Sequence, residues 1–142
     1  MKRIISGSRG AMIDTPKLWW MLKHTKLDVT EIVSGGSGNV DICAERLAEF
    51  LHLPKRVFMA DWQTHGKAAG PLRNTQMAEY GEAVLAVWNG NSPGTKHLIA
   101  EAKRCGLPIF IHKAEMSKGA SRTTEKSGEG EQPELGGESE NA

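Results

Sequence analysis

Short apolar runs alternate with amphipathic helical stretches along this chain, and a glycine-bearing loop directly follows three of the runs. Gly7-Ser8-Arg9 comes after Arg3-Ile4-Ile5-Ser6, and Gly35-Gly36-Ser37-Gly38 after Glu31-Ile32-Val33-Ser34. Gly90-Asn91-Ser92-Pro93-Gly94-Thr95 comes after Val84-Leu85-Ala86-Val87-Trp88. Repeated strand, loop and helix constrain a chain to an α/β fold with a parallel sheet and right-handed crossovers. In such a sheet the loops gather at the carboxyl ends of the strands, where ligands bind. Glycine lets backbone N–H groups approach an anion, and the helix that follows presents its positive end. The loops therefore predict a pocket for a phosphate-bearing small molecule, a nucleotide derivative.

The spacing predicts five strands and four principal helices. Ile4-Ile5 starts the first strand, and Asp14-Thr15-Pro16 caps and opens a helix reaching about Lys26. A second strand is expected at 29–34 and a second helix at 40–51, closed by Pro54. Arg56-Val57-Phe58-Met59-Ala60 reads as the third strand, residues 61–67 as a loop, and a helix is expected from Pro71. Ala83–Trp88, apolar throughout, reads as a strand buried on both faces. A last helix over 95–105 ends at Gly106, and Ile109-Phe110-Ile111 forms the final strand.

Charge divides the chain. Residues 1–114 carry 15 Lys and Arg against 10 Asp and Glu, whereas residues 115–142 carry 3 against 7. The first segment is expected to be the folded domain. The second, rich in Ser, Gly and Glu with Leu135 its only large aliphatic residue, is expected to be a disordered tail. The mild basic excess suits an anionic ligand and falls short of a duplex-DNA surface. Cys43 and Cys105 form no C-x-x-C pair and are expected as buried, reduced thiols. The five histidines show no metal spacing, so neither a metal nor another cofactor is assigned. No apolar run approaches the roughly 18 residues that span a bilayer. Without a secretory segment either, the expectation is a cytoplasmic protein that does not engage membranes.

Specific residues then acquire roles. Ser8 and Arg9 offer a hydroxyl and a guanidinium at the end of the first strand. Ser37 precedes the second helix. Asp41 in its first turn either favours the helix dipole or accepts from a ribose hydroxyl. Arg73 and Asn74 stand in the first turns of the third helix and can face a ligand. Ser92, Gly94 and Thr95 form the last cradle, at a helix N-terminus. In the linker, Trp62 could stack on a base and Lys67 meet a phosphate, or both serve packing and surface charge. No hydrolytic dyad and no G-x-x-x-x-G-K-[ST] loop is present.

These motifs, in this order and extended by Ala60-Asp61-Trp62 and Gly66-Lys67-Ala68-Ala69-Gly70-Pro71-Leu72-Arg73-Asn74-Thr75-Gln76-Met77, resemble the YspA-type, cpYpsA-related branch of the SLOG superfamily. That branch is common in bacteriophage and bacterial genomes, and the likeness covers about residues 1–112. It implies a Rossmann-like three-layer sandwich with a mostly parallel sheet of about five strands. It also implies that Gly7, Ser8, Arg9, Gly35, Gly36, Arg73, Asn74, Gly94 and Thr95 line a pocket for a nucleotide or nucleotide-derived signal. Asn39-Val40 departs from the small residues that the family more often has before the aspartate. Relatives commonly dimerise through apolar helix faces, so a homodimer or higher homo-oligomer is a further expectation.

The same superfamily includes the Lonely Guy phosphoribohydrolases, whose glycine–threonine turn resembles Gly94-Thr95. Their threonine is followed by a glutamate where this chain has Leu98, and leucine cannot handle a proton. The resemblance thus favours sensing or sequestration. A phosphoribohydrolase using Asp41 or Asp61 is the alternative, and a nucleic-acid-processing factor a further one. On this reading Arg73→Ala and Gly36→Val abolish ligand binding and leave the fold intact.

Overall fold

Alternate residues of the first strand go to opposite cores. In β1 (Lys2–Gly7), Ile5 packs with Leu18, Leu22, Leu47 and Leu85, whereas Ile4 packs with Val33, Met77, Val84 and Leu98. This two-residue period is what a strand covered on both faces requires. The computed structural model describes residues 1–116, so all but the first two residues of the tail expected over 115–142 lie outside the described residues. After β1 come β2 (Ala11–Met12), α1 (Thr15–His24), β3 (Glu31–Ser34), α2 (Gly38–Phe50), β4 (Lys55–Val57) and α3 (Trp62–His65). A 3-10 turn over Gly66–Ala68 leads to α4 (Ala69–Tyr80), β5 (Ala83–Trp88), α5 (Pro93–Arg104), β6 (Ile109–Lys113) and β7 (Glu115–Met116).

The main sheet has the order β4-β3-β1-β5-β6, and every pairing in it is parallel. Helices α1 and α2 cover one face and α4 and α5 the other, giving a Rossmann-like three-layer sandwich. The chain winds outward from β1 through β3 to β4, then returns to place β5 on the other side of β1. The direction of winding therefore reverses between β1 and β5, the place where open α/β sheets leave a crevice. No helix among the described residues is long and apolar enough to cross a membrane.

Local chemistry explains the boundaries. Asp14 caps α1 by accepting from the Lys17 amide at 2.9 Å, and Lys23 and His24 complement the dipole in its last turn. Gly106, at φ +73°, ends α5 in the left-handed conformation, its amide donating to the Lys103 carbonyl.

Several expectations shift. The stretch read as a loop contains α3, opened by the Asp61 cap on the Thr64 amide at 3.1 Å. Helix α4 starts at Ala69, two residues before Pro71. Strand β4 ends at Val57 rather than running to Ala60. Cys43 is buried as expected, but Cys105 is only half-buried because it caps α5 instead of lying inside it. The antiparallel β2–β7 ribbon was not expected, and it carries the described fold to Met116, beyond the expected domain end at 114. Arg3, fully buried in β1, was likewise not singled out. Its Nη1 donates to the Leu27 carbonyl at 3.2 Å, and burial pushes its pKa down.

Candidate ligand-binding site

The three glycine loops meet at the carboxyl ends of β1, β3 and β5, held by side chains that turn inward. Ser8 is buried. Its Oγ lies 2.9 Å from Ser92 Oγ and accepts from the Asn89 amide at 3.0 Å, tying the loop after β1 to the loop after β5. Arg73 Nη1 donates to the Gly35 carbonyl at 2.6 Å and its Nε to Asn74 Oδ1 at 3.0 Å, tying α4 to the loop after β3. Asn74 Nδ2 donates to the Gly94 carbonyl at 3.1 Å and lies 3.3 Å from His97 Nδ1, tying α4 to α5. Gly38 faces the backbone of Arg9 and completes a ring of loops.

Glycine is required at two of these positions. A Cβ on Gly7 would stand 2.5 Å from Val40 Cγ2 and 2.7 Å from the Val87 carbonyl oxygen, and that backbone atom cannot step aside. Gly7→Ala is expected to lower the melting temperature by roughly 5–20 °C in a thermal melt followed by circular dichroism. An unchanged melt would show that the β1–β5 contact is looser than described. Gly36 sits at φ +70°, and a Cβ there would run into Met59 Sδ and Val57 Cγ1. Gly36→Val therefore strains the backbone itself and cannot be the fold-neutral variant that the sequence suggests.

Asp41 is the buried carboxyl of the ring. Its Oδ2 accepts from the Ser37 amide at 2.9 Å, four residues back, while its Oδ1 is buried without a hydrogen-bond partner. Burial pushes its pKa up to about 7, against the Ser37 amide and the Arg73 charge, which favour the carboxylate. Burial likewise lowers the pKa of Arg73, with Asp41 opposing the shift. Thr95 is fully buried in the first turn of α5, and its Oγ1 also lacks a partner.

The structure gathers Gly7, Ser8, Gly35, Gly36, Ser37, Asp41, Arg73, Asn74, Ser92, Gly94 and Thr95 at one end of the sheet. Arg9 is exposed on the same loop. Lys67 stands exposed on the turn before α4, and among the described residues no hydrogen bond or ion pair joins it to the ring. Trp62 is half exposed, its ring resting over Gly70. Ser8, Arg73 and Asn74 are buried and hydrogen-bonded to neighbouring loops, so each also holds the ring in place. Arg73→Ala cannot leave the fold intact for the same reason.

Sequence reasoning missed Asn89, whose Oδ1 accepts from the amides of both Asn91 and Ser92. Asn89-Gly90-Asn91 carries the signal for such an Asx turn. His97, against Asn74, and Met59, against Gly36, gave no signal. Leu98, where the phosphoribohydrolases carry a glutamate, is buried in the core, Asp61 caps α3, and Glu101, three residues beyond Leu98, binds Arg104 and Thr75. Among the described residues no group of three or more His, Cys, Asp or Glu side chains could hold a metal ion. A cleft of about 540 Å3 opens beside the ring rather than within it, lined by Asn39 and Val87 but by none of the thirteen residues expected from the sequence.

No family model matches the chain, and no solved structure matches it. The Gene 61 protein of Mycobacterium phage D29 is 36% identical over 120 residues, spanning 78% of this chain and 95% of that protein. The chain belongs to the Gene 61 family. Gene 61 kinship gives the chain a phage-encoded relative.

Proposed function

We propose that this Gene 61 family member is a SLOG-type domain that binds a nucleotide or nucleotide-derived small molecule at the ring of loops, for sensing or sequestration. One observation carries the reading. Helices α2 and α5 both begin at a serine in extended conformation, Ser37 and Ser92, yet neither serine side chain caps its helix. By contrast, Asp14 caps α1. Two helix N-termini, each with orphan N–H groups and a positive dipole end, therefore meet at the ring, and an anion would satisfy them. The unpartnered Asp41 Oδ1 and Thr95 Oγ1 lie at the same two helix ends, where a sugar hydroxyl and a phosphate oxygen would complete them.

Native mass spectrometry of the freshly purified protein, followed by titration with nucleoside monophosphates, tests this. A co-purifying nucleotide-like mass is expected. Thr95→Val removes one hydroxyl at constant shape and is expected to weaken binding by about tenfold. Folded protein that binds no nucleotide at millimolar concentration would sink the proposal. Release of free base in the same titration would favour the phosphoribohydrolase reading. Asp41, half-protonated near pH 7, is then the ring's carboxyl suited to proton transfer.

A further inference from the structure

We propose that the cleft between α1 and the β2–β7 ribbon is a second binding site, separate from the ring of loops, which takes a small, singly charged anion with an apolar or aromatic body. Its volume, about 540 Å3, lies in the range of roughly 300–1,000 Å3 typical of small-molecule pockets. The cleft is floored by Val87, which pairs with Gly7, so it opens where β1 and β5 end and the winding of the sheet reverses. Its apolar wall is Met12 and Ile13 from the ribbon side and Met21 from α1. Two of these are methionines, whose unbranched side chains adapt to a flat or irregular surface.

The charge pattern selects the ligand. Lys17 on α1 and Lys113 at the end of β6 both line the cleft and are exposed. Among the described residues neither ammonium group makes an ion pair or hydrogen bond, whereas Lys55 pairs with Glu49 and Arg104 with Glu79 and Glu101. Two other polar side chains of the lining already hold hydrogen bonds within the fold, Asp14 while keeping its negative charge. Asp14 Oδ1 holds the Lys17 amide at the start of α1, and Asn39 Nδ2 donates to the Ala11 and Ile13 carbonyls at 3.2 and 3.1 Å. The Asn39 bonds also fix the entry to α1, so one wall of the cleft is set before any ligand arrives. What remains to recognise a ligand is two cations against an apolar wall, with the exposed carboxylates of Asp14 and Glu115 in the same lining. A polyphosphate would be repelled by both carboxylates, while a single carboxylate, sulfonate or phosphomonoester can keep to the lysines.

Anilinonaphthalene sulfonate, an aromatic body with one negative charge whose fluorescence rises in apolar surroundings, is the probe. It is titrated into the full chain. The expected result is saturable binding that weakens about tenfold in Lys17→Ala/Lys113→Ala, both exposed positions outside the core. Glu115→Gln is expected to tighten it by about two- to threefold, because a like charge is removed. Phe50→Glu is the control, since Phe50, Trp19 and Arg46 line a distinct apolar groove between α1 and α2. Binding unchanged in that variant supports the assignment. No saturable signal in the wild type, equal affinity in the double lysine variant, or loss of binding in Phe50→Glu would each overturn it.

Discussion

Arg73→Ala is expected to cost about 3–5 kcal/mol of folding free energy, the cost typical of leaving a buried charged network without one partner. The guanidinium is buried and splits its donors between the Gly35 carbonyl and Asn74 Oδ1. Truncation strands both acceptors and opens a cavity beside Asp41. For a domain of this size the melting temperature should fall by more than about 10 °C. Arg73→Lys keeps the charge but loses the fork that reaches two acceptors, so an intermediate loss is expected. Urea denaturation of both variants checks the ranking. A melt of Arg73→Ala within about 2 °C of the wild type would show that the ring does not depend on this side chain.

Stability should fall as pH rises from about 4 to 7, the reverse of the usual carboxylate effect. Asp41 titrates from its ordinary value of 3.8 when unfolded and from about 7 when folded, because burial penalises its charged form. Between these values the native state holds the extra proton, so the carboxyl's contribution is complete below pH 4 and gone above pH 7. Arg73 limits the loss by favouring the carboxylate, and Glu45 on the same helix adds to it. The full span corresponds to about 4 kcal/mol at most. Asp41→Asn keeps an oxygen for the Ser37 amide and removes the titration. It should flatten the decline and be more stable than the wild type at pH 8 by roughly 2–4 kcal/mol. Urea midpoints at pH 5 and 8 for both proteins decide the matter. A decline equally steep in Asp41→Asn would assign it to another group.

Much of the architecture was legible because it follows from period and punctuation. Ala83–Trp88 is apolar at every position, so only a strand buried on both faces accommodates it. Asp14 and Pro16 announce α1, and Gly106 ends α5. What escaped notice had no such signature. A ribbon of two residues per strand is too short to show a period, and residues 62–68 present no apolar face because all of them are exposed. The ring of loops was half legible. Its residues could be named from the loops, since glycine and hydroxyl residues after strands are a local pattern. Their direction could not, because a sequence shows which groups can bond and not which partner, 84 residues away in the case of Ser8 and Ser92, will claim them. Arg73, read from the sequence as facing a ligand, also braces the Gly35 loop.

The position of β1 between β3 and β5 has a kinetic consequence. Strands β1, β3 and β4, with α1 and α2, need only residues 2–57 to assemble, whereas the other edge of β1 stays open until residues 83–88 have left the ribosome. Long-range closure is the slow step in such topologies. The Ser8–Ser92 link and the α5 end of the ring can form only after that closure, so the ring of loops is among the last parts of the fold to be completed on a nascent chain.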